Sequence, residues 1–431
     1  MIDLIQEMIL DFHQENLFTG VRRQLNYEIL EKKAFVCIGV RRCGKTTFLY
    51  QIMDALMKKA VPKHNIIYIN FFDDRLTELK HGSLNTIWEA YFNLFPEKKG
   101  AEKVHFFFDE LQEMPDWEPF VDRLLRTEKC DVFITGSSAK LLSKEIATHM
   151  HGRSISWELF PFSFREFLSY KKMDEIHLSS RNRLHIQKHF REYDLKGGFP
   201  EVREVSDRLR IRIHQEYYKS IILRDVIERF DAIHPQAVMQ LAYRLISSIS
   251  TLYSINRLTE YLKSLGYRVS KDFVSSCLQW FEDVYFIFSL KLFDLSISKQ
   301  NLNAKKAYCI DHSLAASVSP RFSENKGLLL ENLVFVHLRR STERIYYYRT
   351  RKGHEVDFLY WGQRDNPRLV QVCYSISKPT TRRRELRAIQ EAMNELNIHE
   401  ATIVTMNEEE EIDMGPNHLH AIPAWRFLLK S

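Results

Sequence analysis

The sequence predicts an α/β fold with a parallel sheet in its first half and a second α/β domain at its C-terminus. Five short apolar runs lie between residues 34 and 160, and stretches with helical spacing separate most of them. This alternation is typical of βα units that build a parallel sheet. In the last hundred residues a helix, three strands, a second helix and a fourth strand follow one another. A chain of 431 residues has room for about two to four domains.

A phosphate-binding loop is the strongest motif in the chain. The stretch GVRRCGKTT lies between an apolar run, AFVCI, and a run with helical periodicity. In such a loop, backbone N–H groups and a helix N-terminus converge on phosphate oxygens. The alternative, a Gly-rich turn with a surface lysine, is disfavoured by the flanking strand and helix. We therefore predict a P-loop NTPase core whose nucleotide is held by nine residues: Gly39, Val40, Arg41, Arg42, Cys43, Gly44, Lys45, Thr46 and Thr47.

The loop and the third strand supply the predicted chemistry. Lys45 can reach the β- and γ-phosphates, and the Thr46 hydroxyl can ligate Mg²⁺. The apolar strand HFFFDE ends in Asp109 and Glu110, two charges that a core does not tolerate without a use. We expect Asp109 to hold Mg²⁺ directly or through water, and Glu110 to polarise the attacking water. Acids at strand ends can also simply begin a loop, but a phosphate loop at this separation favours the catalytic interpretation.

Two further strands deliver candidate catalytic side chains. The strand FITGSS ends in Thr135, Ser137 and Ser138, and we favour Ser137 and Ser138 as groups that bond the γ-phosphate or the lytic water. A plain turn is the alternative. Arg153 directly precedes the fifth strand and is a candidate for stabilising charge on the transferred phosphoryl group, in its own subunit or in a neighbour. A role in a neighbour requires a homo-oligomer, and an ordinary surface arginine is the alternative.

Four of these segments together resemble a prokaryotic family of predicted AAA-like ATPases. They are GVRRCGKTT, FFFDELQ, FITGSSAKLL and GRSISWELFPFSFREFL. The resemblance implies ATP as the ligand and a P-loop core followed by a helical lid, a winged helix and a restriction-endonuclease-like domain. The domains expected are an N-terminal helix (1–19), an AAA-like core (20–161), a lid (162–235), a winged helix (236–300) and a nuclease-like α/β domain (320–431).

Residues 254–293 agree with a winged helix. They form a helix, a turn at Gly266 and a second helix from Ser270, followed by strand-like alternation, which is the helix-turn-helix layout with a wing. The second helix opens with Ser270, Lys271 and Asp272 and carries one base and three acids. Winged helices also dock proteins, so DNA contact and protein contact both remain open.

The C-terminal order of elements is that of the PD-(D/E)xK nuclease core. In an active enzyme of this class, acids on the first helix and on the second and third strands gather divalent ions, and the third strand adds a lysine. Glu331 and Asp357 fit the first two positions, but the third strand offers Gln371 and Cys373. The missing lysine favours a domain that does not cleave nucleic acid. A solvated face is the alternative for the two acids.

Basic residues are concentrated in this last domain and suggest backbone contacts to DNA. The basic residues, interleaved with Tyr346, Tyr347 and Tyr348, are Arg339, Arg340, Arg344, Arg349, Arg351, Lys352, Lys378, Arg382, Arg383, Arg384 and Arg387. Bases neutralise phosphates and rings stack on exposed nucleobases, although such residues can also merely solubilise a surface. The net charge of +6 permits nucleic-acid binding without demanding it.

The remaining composition predicts a cytoplasmic protein without a membrane segment. Six cysteines lie far apart with no zinc spacing, which argues for reduced thiols. The N-terminus MIDLIQEMILDFHQE predicts an amphipathic helix and not a signal peptide. The sequence thus predicts an ATP-binding and hydrolysing protein whose nucleotide state controls DNA engagement. The alternative is an ATP-driven switch whose C-terminal domains bind a protein partner.

Overall fold

The chain divides into two compact units, Met1–Phe160 and Pro161–Ser431. The computed structural model describes residues 1–136, 150, 152–173, 179–323, 325–362 and 365–430. No helix within those ranges is long and apolar enough to cross a membrane. All six cysteines are buried free thiols.

A parallel sheet of five strands forms the centre of the first unit. The strands are β1 (Ala34–Ile38), β2 (Ile66–Asn70), β3 (Val104–Asp109), β4 (Cys130–Gly136) and β5 (Ser154–Glu158). Their order is β2-β3-β4-β1-β5, and every pairing is parallel. The α/β fold with a P-loop NTPase core that the sequence predicts is confirmed.

One helix precedes the sheet, and others connect its strands. The longer ones are α1 (Ile2–Gln14), α2 (Lys45–Lys58), α3 (Asn85–Leu94) and α4 (Trp117–Thr127). Short 3₁₀ segments cover Lys63–Asn65, Asp74–His81, Pro96–Lys98 and Leu111–Glu113.

Burial explains why the central strands are continuous apolar runs. Every residue of β1, β3 and β4 is buried, as expected for a parallel sheet covered on both faces. Phe107 and Phe133 stack on adjacent strands with ring centroids 4.3 Å apart. Since all five strands run the same way, their carboxyl ends meet at one edge, and β1, β3 and β4 deliver Gly39, Asp109 and Thr135 there.

The second unit begins with helices. They are α5 (Phe164–Tyr170), α6 (Ser180–Lys196) and α7 (Asp207–Ser220), which continues as a π-helical segment over Ile221–Glu228. A short 3₁₀ segment, Pro200–Val202, precedes α7. The glycines after α6 allow a close approach: Gly198 N–H donates to Asp311 Oδ2 at 2.7 Å, and a Cβ on Gly198 would lie 2.5 Å from the Phe162 carbonyl oxygen.

A group of five helices with a small antiparallel sheet follows. Its helices are α8 (Pro235–Ile246), α9 (Ile255–Ser264), α10 (Lys271–Asp283), α11 (Ile297–Leu302) and α12 (His312–Val318). Its strands are β6 (Leu252–Tyr253), β7 (Ile287–Leu290) and β8 (Lys305–Cys309), in the order β6-β8-β7. The strand β8 completes this sheet. It lies beyond residue 300, the residue at which the sequence predicts that the winged helix ends.

A mixed sheet forms the C-terminal part. The elements are a 3₁₀ turn (Pro320–Ser323), α13 (Lys326–Arg339), β9 (Ile345–Arg349), β10 (Glu355–Trp361), β11 (Pro367–Val372), α14 (Pro379–Leu396), β12 (Glu400–Thr405), β13 (Glu410–Met414), β14 (Asn417–Pro423) and α15 (Ala424–Phe427). The strand order is β13-β14-β12-β11-β10-β9. The predicted succession of helix, three strands, helix and strand is present, and β13 and β14 extend it.

His214, on α7, is fully buried in the second unit. Its Nδ1 lies 3.0 Å from Ser317 Oγ, whereas its Nε2 has no hydrogen-bond partner. Burial lowers the pKa of His214 to about 4; the Asp311 carboxylate opposes this shift and the Arg210 guanidinium adds to it. The imidazole is therefore neutral in the folded protein at pH 7.

We predict that His214 makes the fold acid-sensitive. A histidine in the unfolded chain has a pKa of about 6.5. As the pH falls below that value, His214 binds a proton in the unfolded chain but stays neutral in the folded protein. From pH 7.5 to 5.0 this lowers the free energy of unfolding by about 2 kcal/mol. Urea unfolding at both pH values should show that loss in the wild type and a correspondingly smaller loss in His214→Gln. The exposed His185→Gln control should lose as much as the wild type, and equal losses in all three proteins would contradict the prediction.

Candidate nucleotide-binding site

The phosphate loop turns tightly between β1 and α2. Its two glycines, Gly39 and Gly44, permit the turn because a side chain at either position would clash or strain the backbone. A Cβ on Gly39 would lie 2.1 Å from the Leu159 carbonyl oxygen, closer than any side chain allows. Gly44 has φ of 101° and is the N-cap residue of α2, a conformation that favours glycine. The first-turn N–H groups of α2 have no partner within the helix and are available to an anion.

Lys45 is buried beneath this loop. Its Nζ donates to the carbonyl oxygens of Gly39 at 3.1 Å and Val40 at 3.4 Å and lies 3.5 Å from Glu110 Oε1. Burial alone would lower the pKa of Lys45, but the Glu110 carboxylate leads the opposing charges that raise it. The ammonium is therefore charged and sits at the loop without a close carboxylate bond of its own.

Three hydroxyl groups hold the Asp109 carboxylate. Thr46 Oγ1 and Tyr68 OH donate to Asp109 Oδ2 at 2.7 and 2.9 Å, and Thr135 Oγ1 donates to Oδ1. Asp109 is fully buried; burial raises its pKa, and the bonds from Thr135, Thr46 and Tyr68 oppose that rise. The carboxylate is thus fixed in direct contact with the threonine that opens α2.

The donor set fits Mg²⁺. A hydroxyl and a carboxylate oxygen, here 2.7 Å apart, are hard ligands of the kind that this ion prefers, and Mg²⁺ in nucleotide sites usually takes only one or two protein ligands beside phosphate and water. Thr46 and Asp109, the two residues predicted from the sequence as metal ligands, are therefore adjacent in space.

Glu110 has a left-handed backbone, with φ of 55° and ψ of 42°, a conformation that costs about 1 kcal/mol or more for a residue other than glycine. Its N–H donates to Thr135 Oγ1 at 3.0 Å. Its Oε2 accepts a hydrogen bond from Gln112 Nε2 at 2.6 Å, and its Oε1 faces Lys45. The carboxylate is therefore turned toward the loop and not into the solvent.

The fourth strand contributes a residue other than the favoured serines. Thr135 is fully buried and bonds to both Asp109 and the backbone of Glu110. Ser137 and Ser138 lie outside the described residues, so their predicted role remains a prediction.

The sequence leaves open whether Arg153 acts in its own subunit or in a neighbour, and the structure places it at the edge of the sheet away from its own phosphate loop. The Arg153 carbonyl accepts a bond from the N–H of Ala34, at the amino end of β1. The phosphate loop follows the other end of that five-residue strand, which spans roughly 16 Å at about 3.3 Å per residue. The Arg153 guanidinium pairs with Asp122 on α4. A residue that precedes a parallel strand stands at the edge opposite the loops that follow the strands.

Two residues that contribute to the site, Tyr68 and Arg23, are not predicted from the sequence. Tyr68 is the only hydroxyl-bearing side chain in the run NIIYINF. That pattern marks Tyr68 as unusual in an apolar strand but does not indicate that it bonds to Asp109. Arg23 is buried and its Nη1 donates to the carbonyl of Cys43 in the loop at 2.8 Å. Nothing in the sequence around Arg23 indicates that contact.

Gln371 and Cys373, which stand where a nuclease would have its third acid and its lysine, are engaged in internal hydrogen bonds. Gln371 Oε1 accepts from the Asp357 N–H at 3.1 Å, and its Nε2 donates to Glu385 Oε2 at 2.7 Å. Cys373 Sγ donates to the Ser375 carbonyl at 3.1 Å. Neither third-strand side chain faces an open metal position.

Three family models match the chain. An AAA domain matches residues 31–168, a domain of unknown function (DUF8612) matches 187–325, and another (DUF4143) matches 326–427.

Two proteins of undetermined function are similar in sequence. The uncharacterized protein MJ1544 of Methanocaldococcus jannaschii is 34% identical over 100% of this chain and 96% of its own length. An uncharacterized protein of Haemophilus influenzae is 29% identical over 80% of this chain and 83% of its own length. Among solved structures, the Walker-type ATPase PABY2304 of Pyrococcus abyssi covers 74% of this chain and 94% of its own, with 13% identity and a TM-score of 0.45.

Proposed function

The chain belongs to the AAA-like ATPase family that includes the Methanocaldococcus jannaschii protein, and from this premise we propose that it binds ATP with Mg²⁺ and hydrolyses it. The observation that carries the proposal is the pairing of Thr46 with Asp109 and of Lys45 with Glu110 at the carboxyl edge of one sheet. These are the two pairs that phosphoryl transfer to water requires, one for the metal and one for phosphate and water.

Each side chain then has a defined task. Lys45 and the N–H groups of the loop bind the β- and γ-phosphates. Thr46 and Asp109 hold Mg²⁺, which offsets the negative charge on the phosphate oxygens when it is bound. Glu110 orients the attacking water and accepts its proton. Phosphate oxygens would attract the Lys45 ammonium from its 3.5 Å contact, leaving the Glu110 carboxylate available to water.

We expect Lys45→Ala and Glu110→Gln to separate binding from chemistry. Lys45→Ala removes the cation at the phosphates and should weaken ATP binding and abolish turnover. Glu110→Gln should keep binding and slow hydrolysis by about 10²-fold or more, because metal and phosphate contacts survive. ATP titration and phosphate release measure the two steps.

Matched controls lie nearby. Lys58→Ala, on the same helix with its side chain 76% exposed, and Glu113→Gln, three residues along the chain, should both behave as wild type. If Glu110→Gln hydrolyses ATP at the wild-type rate, a residue other than Glu110 polarises the attacking water.

We further infer that residues 235–309 form a winged helix through which nucleotide state controls DNA engagement. A helix, a short strand, a helix pair and two strands in the order β6-β8-β7 support that assignment. On α10 the exposed side chains are polar: Lys271, Asp272, Ser275, Ser276 and Gln279. Such a face can bond to phosphates and base edges, but it adds little positive charge.

Several basic residues of the C-terminal domain form ion pairs with acids, which leaves fewer of them available to bind DNA phosphates. Arg382 forms two 2.7 Å bonds to Glu410. Arg384 pairs with Glu385. Further pairs join Arg344 to Asp365, Arg349 to Glu355 and Lys352 to Glu391. Arg383 and Arg387 lie four residues apart on α14 and are both exposed, so they are the better candidates for DNA backbone contacts.

A protein partner is the second candidate target, and the wing favours it. We use the word wing for residues 291–304, between β7 and β8. Leu295 is 94% exposed, Ile297 73% and Leu302 86%. Three large apolar side chains so exposed on one short segment resemble the anchors of protein interfaces more than those of DNA interfaces.

The salt dependence of binding separates the two candidates. If Arg383 and Arg387 neutralise phosphates, log affinity for duplex DNA should fall linearly with log salt, and Arg383→Glu with Arg387→Glu should flatten the slope by about 2. The control reverses Arg208 and Arg212, an exposed pair on α7 with the same spacing, and should leave the slope unchanged. Fluorescence anisotropy at several salt concentrations, with and without ATP, measures it. An absence of salt-dependent binding would favour the protein partner.

The proposal places the protein in the cytoplasm, where six buried thiols would stay reduced. A homo-oligomer remains part of it, since Arg153 would reach a nucleotide only in a neighbouring subunit.

A further inference from the structure

Lys306, on β8, lies at the centre of three carboxylates that belong to the C-terminal sheet and its first helix. Its Nζ is 2.8 Å from Asp357 Oδ1, 2.9 Å from Glu355 Oε1 and 3.1 Å from Glu331 Oε1. The Lys306 side chain is only 4% exposed. An ammonium has three protons, and here each proton has a carboxylate acceptor.

The backbone of Lys306 cannot move away from this cluster without breaking a sheet. Lys306 lies on the central strand of the small sheet, paired with Leu252 on one side and Leu290 on the other. A slip of one residue would turn its side chain to the opposite face. Both neighbouring strands therefore fix the point from which the ammonium reaches the acids.

Further hydrogen bonds hold two of the acids in place. Asp357 Oδ2 accepts the Val372 N–H at 2.9 Å, and Tyr308 OH donates to Glu331 Oε1 at 2.7 Å. Burial and the charge of Asp357 raise the pKa of Glu331, whereas the Lys306 ammonium and the Tyr308 hydroxyl lower it. A second cation lies beside the cluster, because the Arg349 guanidinium is 3.5 Å from Glu355 Oε2.

A divalent ion does not fit these residues as they stand. A nuclease of the PD-(D/E)xK class would hold its ion between the positions of Glu331 and Asp357, and that space contains the Lys306 ammonium. Gln371, in place of a third acid, is bonded to the Asp357 backbone and to Glu385. Within the described ranges, no three His, Cys, Asp or Glu side chains are grouped so that they could hold a metal ion.

We propose that Lys306 is the permanent cation of this cluster, standing where a nuclease would bind its divalent ion, and that the cluster joins β8 to the C-terminal sheet instead of cleaving nucleic acid. The inference goes beyond the ATPase function and does not depend on it. Lys306 lies in the region matched by one family model, and its three acids lie in the region matched by the next. The ion pairs therefore connect two segments that different family models match.

Manganese binding to the full-length protein without nucleotide tests the proposal. Mn²⁺ is titrated into wild type and Asp357→Asn, and free Mn²⁺ is followed by electron paramagnetic resonance. We expect identical isotherms, because the ammonium excludes the ion from this cluster in both proteins. A wild-type Mn²⁺ site that Asp357→Asn abolishes, or plasmid nicking that depends on Asp357, would overturn the proposal.

Lys306→Met provides the converse test. Loss of the ammonium leaves buried carboxylates uncompensated, so the midpoint of thermal unfolding should fall by about 10 °C. Mn²⁺ should bind this variant at one new site and restore part of the loss. Lys305→Met, the adjacent residue whose side chain alternates to the other face of β8, is the control and should match wild type in both measurements.

Two results of this test would contradict the proposal. An unchanged unfolding midpoint in Lys306→Met would show that the cluster does not join β8 to the sheet. A folded Lys306→Met protein that gains no Mn²⁺ site would show that the ammonium does not stand in a metal position. If Lys306→Met fails to fold, the comparison of wild type with Asp357→Asn decides the question.

Discussion

The carboxylate of Asp109 is the group on which the candidate nucleotide site depends. Thr46 reaches it from the first turn of α2, Tyr68 from β2 and Thr135 from β4. A single buried acid thus ties the helix after the phosphate loop to three neighbouring strands. Because an unsatisfied buried carboxylate is costly, the three hydroxyls offset part of the cost of its burial and hold it at the place where phosphate-bound metal would sit.

Two buried lysines, Lys45 and Lys306, show how the partners of a cation decide whether it is available to a ligand. Lys45 bonds to two backbone carbonyls and has a carboxylate only at 3.5 Å, so an incoming phosphate offers it a better partner. Lys306 has three carboxylates between 2.8 and 3.1 Å, and no ligand improves on that. One lysine can exchange its partner, whereas the other is fixed.

Helices, strands and the phosphate loop can be predicted from local sequence patterns. Side-chain partners that are distant in the sequence cannot. The phosphate loop, the apolar strands and the C-terminal order of elements are visible because each is encoded by neighbouring residues. Lys306 was invisible because its partners lie 25 to 51 residues further along the chain. The position of Arg153 beside β5 does not by itself tell which edge of the sheet the residue occupies; that depends on the strand direction, and Arg153 precedes the strand.

The most direct test of the account is the Mg²⁺ dependence of ATP affinity. Isothermal titration of wild type should show tighter ATP binding with Mg²⁺ than with EDTA. In Asp109→Asn the affinity in EDTA should stay close to wild type while the gain from Mg²⁺ disappears, since Lys45 and the loop remain intact. An Asp109→Asn protein with the full Mg²⁺ gain, or a wild type that binds no ATP, would contradict the account.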